Sequence, residues 1–247
     1  MEALAVNQDP SHPKTAKTAS DSLRFGPLLA IWMALTVLIN GGLWAAGFRA
    51  GALSAAVEQG AAEAESQGIG VLGDDLIRKA IRTQHDTLPF WTILTFIGDF
   101  LIEPLVLALR ALSAATAFSA VAALLGRGID YNKALSDCTL VQGFWVLGLA
   151  VRAALMVAFR RGDIETSAAL FLPPGAYPAL LWLSLAQLDI FAMMGWAALA
   201  IGAHRRRQAG WTLALTLTLV LALSESFVRV ALGLGMGAAM RLSINLT

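Results

Sequence analysis

The sequence predicts an all-α integral membrane protein, a helical bundle of about five transmembrane helices. Three observations predict it. Of 247 residues, 57% are hydrophobic and 14% are charged, whereas soluble domains carry roughly 25% charge. Residues 179–203 form a run of 25 positions with one formal charge, Asp189, longer at about 1.5 Å per residue than the roughly 30 Å hydrocarbon core of a bilayer. Comparable runs recur along the chain, and the longest polar interlude between them is 49–89.

Taken in order, residues 1–25 predict a disordered cytoplasmic tail, polar, without apolar periodicity and holding Pro10, Pro13, Lys14 and Lys17. The bundle is expected over 26–240. Its first span, 27–48, follows Arg24 and is too long for a signal-peptide core; the small residues Ala45, Ala46 and Gly47 leave cleavage as an alternative. Residues 49–89 predict an outer loop, broken by Gly60, Gly68, Gly70 and Gly73. Within it, Asp74 is an N-cap candidate, and Leu76, Ile77, Ala80 and Ile81 share one side of a short amphipathic surface helix. Residues 90–126 are too long for one straight span. Pro104 divides them into a lead-in segment near 90–102 and a span over 104–125. The alternative of six spans would need a tight turn near Arg110, where neither Gly nor Pro stands. A polar loop over 126–133 precedes a third span over 139–159, and a second loop turns at Pro173-Pro174-Gly175. The fourth span is 179–203, closed by Arg205, Arg206 and Arg207, and the fifth is 211–235.

Lys and Arg counts favour a cytoplasmic N-terminus, because the tight loop with Arg205, Arg206 and Arg207 points inward and short loops count most. These three arginines are then candidates for contact with an anionic inner leaflet. Trp44, Trp91, Trp182 and Trp211 fall near span ends, as an aromatic belt would place them.

Seven ionisable residues lie inside the apolar runs: Asp99, Glu103, Arg110, Arg152, Asp189, Glu225 and Arg229. Each costs about 3 kcal/mol at the centre of an isolated inserted helix, so they are expected to face one another or a helix end. Spacing agrees: Asp99, Glu103 and Arg110 share one helix face, as do Glu225 and Arg229. Two readings follow. One is an intramembrane polar network of ion pairs that fixes which helix faces meet. The other is a proton or cation path through Asp189, Glu225 and Glu103.

Other chemistry finds little support. No catalytic residue, cofactor or metal site is expected: His12, His85 and His204 are far apart, and no nucleophile–base pattern stands out. The lone Cys138 allows no intrachain disulfide and reads as a packing residue. A net charge of +1 gives no basic stripe, so nucleic acid is not an expected partner. The small-residue stretch at Ser113–Ala117 and the pair Gly233 and Gly237 suit close helix approach, within the chain first and in a homo-oligomer second.

Two segments carry a resemblance. A Pro-containing span ends in Leu124-Leu-Gly-Arg-Gly-Ile-Asp-Tyr-Asn-Lys-Ala-Leu135, and a later span reads Leu185-Ala-Gln-Leu-Asp-Ile-Phe-Ala-Met-Met-Gly-Trp196 before Ala200-Ile-Gly202 and a basic turn. Over about residues 28–235 the chain resembles the Yip1-domain family of small polytopic membrane proteins, in its bacterial form. It departs at Ile129 and Asp130, where a Ser or Thr before an aromatic is usual, and in its long acidic loop. The resemblance implies about five spans and a cytoplasmic N-terminus, and it transfers no catalytic residue. Eukaryotic members of the family bind Rab-type GTPases through a cytoplasmic tail, for which the short tail here has no evident docking element. The expected function is a non-enzymatic scaffold in a bacterial inner membrane, binding protein partners or further copies of itself. The alternative is a small ion- or proton-coupled transporter or channel.

Overall fold

A computed structural model describes residues 25–68, 74–128, 130–162, 164–172 and 178–245; the expected tail lies outside these apart from Phe25, as does the turn at Pro173-Pro174-Gly175. The described residues are helical almost throughout, with one isolated antiparallel bridge between Ser167 and Asp189. Four helical stretches are long and apolar enough to cross a membrane: Phe25–Ala45, Asp75–Leu124, Tyr131–Phe159 and Trp211–Met236.

α1 (Phe25–Ala45) ends at Gly47, whose φ of 78° is a left-handed turn that glycine enters without steric cost. The interlude expected as a loop is instead a helical hairpin, α2 (Phe48–Gly68) against α3 (Asp74–Asp86). The predicted amphipathic helix is present as α3; of the glycines expected to break the region, Gly60 does not, Gly68 ends α2, and Gly70 and Gly73 lie outside the described residues. Gly60 lies inside α2 because the hairpin closes there: a Cβ on it would stand 2.7 Å from Nε2 of Gln84.

Pro104 does not divide the next span. α4 (Leu88–Ile97) runs through a π turn (Gly98–Ile102) into α5 (Glu103–Leu124). In this turn the Glu103 amide donates to the carbonyl of Gly98, opening the ladder just before the proline, so its ring and missing N–H are accommodated without a break. The loop expected over 126–133 is shorter than predicted. Asp130 caps α6 (Tyr131–Val141) by accepting from the Lys133 amide at 3.1 Å, and α7 (Gly143–Phe159) continues it after a step at Gln142.

The expected fourth span, 179–203, is not one helix. It is α8 (Ala179–Ala186) and α9 (Ile190–Arg205), separated at Gln187–Asp189. The carboxylate of Asp189 accepts from the amides of Phe191 and Ala192 at 2.8 and 3.2 Å and so begins a new helix. The carbonyl of Leu188, freed by the break, accepts from the Ala168 amide at 3.0 Å. α10 (Trp211–Asn245) is the longest unbroken helix among the described residues.

The bundle has two distinct ends. At the basic end, Arg127 donates to the carbonyl of Arg207 at 2.9 Å and Arg206 pairs with Asp137 at 3.1 Å. Just above, Ala111, Ala114, Ala115, Phe118, Cys138, Leu199 and Ala203 form a close-packed apolar core. Cys138 and, within the 113–117 stretch, Ala114 and Ala115 are fully buried packing residues, as expected. Towards the other end the small-residue core gives way to a polar cavity.

Candidate functional site: a charge-lined cavity

The cavity has a volume of about 250 Å³. All seven intramembrane charges predicted from sequence line it, brought together from α5 and the π turn before it, from α7, from the break before α9 and from α10. Its floor is set by depth. Arg110 lies 14 residues before the end of α5, and Glu225 lies 14 residues after the start of α10, so both stand about 21 Å from the basic end.

Arg110 is the most buried of the seven, and each of its three guanidinium nitrogens donates a hydrogen bond. Nε donates to Glu225 Oε2 at 2.7 Å, Nη2 donates to Glu225 Oε1, and Nη1 donates to Gln142 Oε1 at 3.1 Å. This is the bidentate fork that arginine forms with a carboxylate. The step between α6 and α7 brings Gln142 into place, and its own amide donates to the carbonyl of Cys138 at 3.0 Å. The cation also sits 4.1 Å from the Trp145 ring and 5.9 Å from that of Trp196, which meet edge to face. Gly195 makes room for this stack, since a Cβ there would overlap the Trp145 ring.

Arg229, one turn beyond Glu225, joins two carboxylates. It donates from Nε to Glu225 at 3.0 Å and from Nη1 to Glu103 at 3.1 Å. The one-face spacing on α5 and α10 therefore zips these helices together through Arg110, Glu225, Arg229 and Glu103. Asp99, on the π turn, has a different partner. Arg49 at the start of α2 pairs with it at 3.1 Å, and the Trp44 indole donates to it at 2.9 Å. Asn40 donates to its carbonyl at 3.0 Å, satisfying backbone that the π turn exposes. Arg152 near the end of α7 pairs with Glu165 at 3.0 Å.

Asp189 departs from expectation. The sequence offers it an ion pair or a place on a proton or cation path. Instead it caps α9, and its second oxygen accepts from the Thr166 hydroxyl at 2.5 Å. Sequence reading also missed Arg49, Glu165, Thr166 and the role of Asn40. Asn40 and Trp44, four apart in an otherwise apolar run, were a signal that one face of α1 meets a polar group.

The three basic residues at the other end separate. Arg205 and Arg207 are exposed, whereas Arg206 turns inward to Asp137 and to Gln208 at 3.0 Å. Arg206 is thus held by a carboxylate of the neighbouring α6, and of the three expected to act together only Arg205 and Arg207 are exposed. Among the described residues no group of three or more His, Cys, Asp or Glu is arranged to hold a metal ion. Comparison with family models, with curated proteins and with solved structures finds no match.

Proposed function

We propose that this chain is a non-enzymatic polytopic membrane protein, a scaffold whose internal charges fix how its helices meet. Its exposed basic end would face the anionic leaflet on the cytoplasmic side of a bacterial inner membrane. The observation that carries the reading is that each of the seven intramembrane charges is engaged within the chain. Six are in ion pairs, and Asp189 is held by Thr166 and two amides. A conducting path needs a carboxylate whose charge has no partner, whereas each of the four here is held by an arginine or by hydrogen-bond donors, as in a network that serves helix registration. The resemblance to the Yip1-domain family supports the same reading, and Arg205 and Arg207 offer the leaflet contact.

A second reading, transport of an ion or small solute, is favoured by the break at Gln187–Asp189. Discontinuous helices beside a polar cavity are a recurring feature of transporter sites. Proton and cation flux in proteoliposomes separates the two. The scaffold reading predicts no flux above empty liposomes, with crosslinking in cells then capturing a protein partner or a second copy. Flux that Asp189→Asn abolishes at matched incorporation would establish transport instead.

A further inference from the structure

We propose that the cavity binds a small zwitterion, with an anionic pole and an ammonium pole a few bonds apart, presented as a free solute or as a lipid headgroup. The proposal stands under either reading of function. A volume of about 250 Å³ lies below the roughly 300–1,000 Å³ of drug-sized sites, so the occupant is small. Four arginines and four carboxylates line it. A simple ion of either sign would meet as many like charges as opposite ones, and an apolar molecule would strand the polar walls. A zwitterion can satisfy both signs at once.

Among the lining charges, Arg152 is the arginine with the fewest of its N–H groups bonded, and Glu103 is the carboxylate with an unused oxygen, so the two are of opposite sign. Arg152 gives one Nη to Glu165, and among the described residues its other N–H groups have no partner. Glu103 gives Oε1 to Arg229, and among the described residues its Oε2 accepts nothing. The arginine fork suits a carboxylate or phosphate, and the free carboxylate oxygen suits an ammonium. Arg110 has no such capacity. Each of its three guanidinium nitrogens already donates to Glu225 or Gln142, and its face is covered by Trp145 and Trp196, with which it closes the floor. Glu103 and Arg229 form the most exposed pair on the lining, with side-chain exposures of 45% and 32%, which leaves a way in from the side away from the floor.

The test is thermal unfolding of the full chain in phosphatidylglycerol nanodiscs. Glycine and O-phosphoethanolamine are the zwitterionic probes, and ethanolamine and inorganic phosphate carry one pole each. A second arm exchanges the lipid for phosphatidylethanolamine. A zwitterion at about 100 times its dissociation constant is expected to raise Tm by roughly 5 °C, with no comparable rise from either single pole. Arg152→Gln and the cavity-filling Ala222→Phe should each weaken the response about 10-fold, and the second keeps every ion pair if the first fails to fold. A rise with phosphatidylethanolamine alone assigns the headgroup, and a rise with the soluble probes assigns a free solute. No rise in either arm, equal rises from the single poles, or a response that Ala222→Phe leaves intact would overturn the proposal.

Discussion

Asp189 illustrates how a charge in an apolar run can be structural. Its carboxylate accepts two amides at the start of α9 and one hydroxyl from Thr166, and asparagine caps a helix about as well as aspartate. Asp189→Asn is therefore expected to change stability by less than about 0.5 kcal/mol, and Asp189→Ala to cost about 1 kcal/mol or more. Chemical unfolding in detergent checks this. Equal damage from the two substitutions would mean that the charge itself is needed. Gly195 is a second sensitive position, because its missing side chain is what admits Trp145 beside Arg110. Gly195→Ala should cost about 1–3 kcal/mol by overpacking, read as a lower melting temperature. An unchanged melt would show that the stack yields without strain.

At the scale of elements, the helices were legible where hydropathy decides them. Residues 25–45 and 211–236 are near-continuous apolar runs, and the structure has helices there. The departures came where a local bond decides. Hydropathy cannot detect that Asp189 prefers its own chain's amides to a place inside a helix, nor that a π turn at Gly98–Ile102 absorbs Pro104. The α2–α3 hairpin was missed for a related reason: glycine reads as a breaker until its neighbour is known, and at Gly60 that neighbour is Gln84. Gly60→Leu should accordingly separate the hairpin and speed tryptic cleavage after Arg78, Lys79 and Arg82. Cleavage at the wild-type rate would contradict close packing at this position.

For the whole molecule, the organisation is an apolar small-residue core above the basic end and a polar cavity beyond it. Helix-face spacing grouped five of the seven charges, and the structure joins four of them, Arg110, Glu225, Arg229 and Glu103, in one network, with Asp99, Arg152 and Asp189 held by other partners along the same cavity. Partners from the interlude and loops, such as Arg49 and Glu165, were beyond reach because periodicity carries no information across a turn. The two ends should lie on opposite sides of a bilayer. In a Cys138→Ala background, a cysteine at Glu65 should react with an impermeant thiol reagent in intact cells, and one at Arg207 should react only after lysis. Replacing Cys138 is expected to be mild because it is a small, fully buried residue in the alanine-rich core. Labelling of both from one side would contradict the bundle.

Arg110 and Glu225 tie α5 to α10 at the floor of the cavity and form the most buried link of the charge network. A double-mutant cycle by chemical unfolding in detergent reads their coupling. Arg110→Leu and Glu225→Leu are each expected to cost about 3–5 kcal/mol, since each leaves a charge buried without its partner, while the double substitution should cost much less than their sum. Additive losses would mean that the two side chains act independently and that the paired network does not hold the bundle.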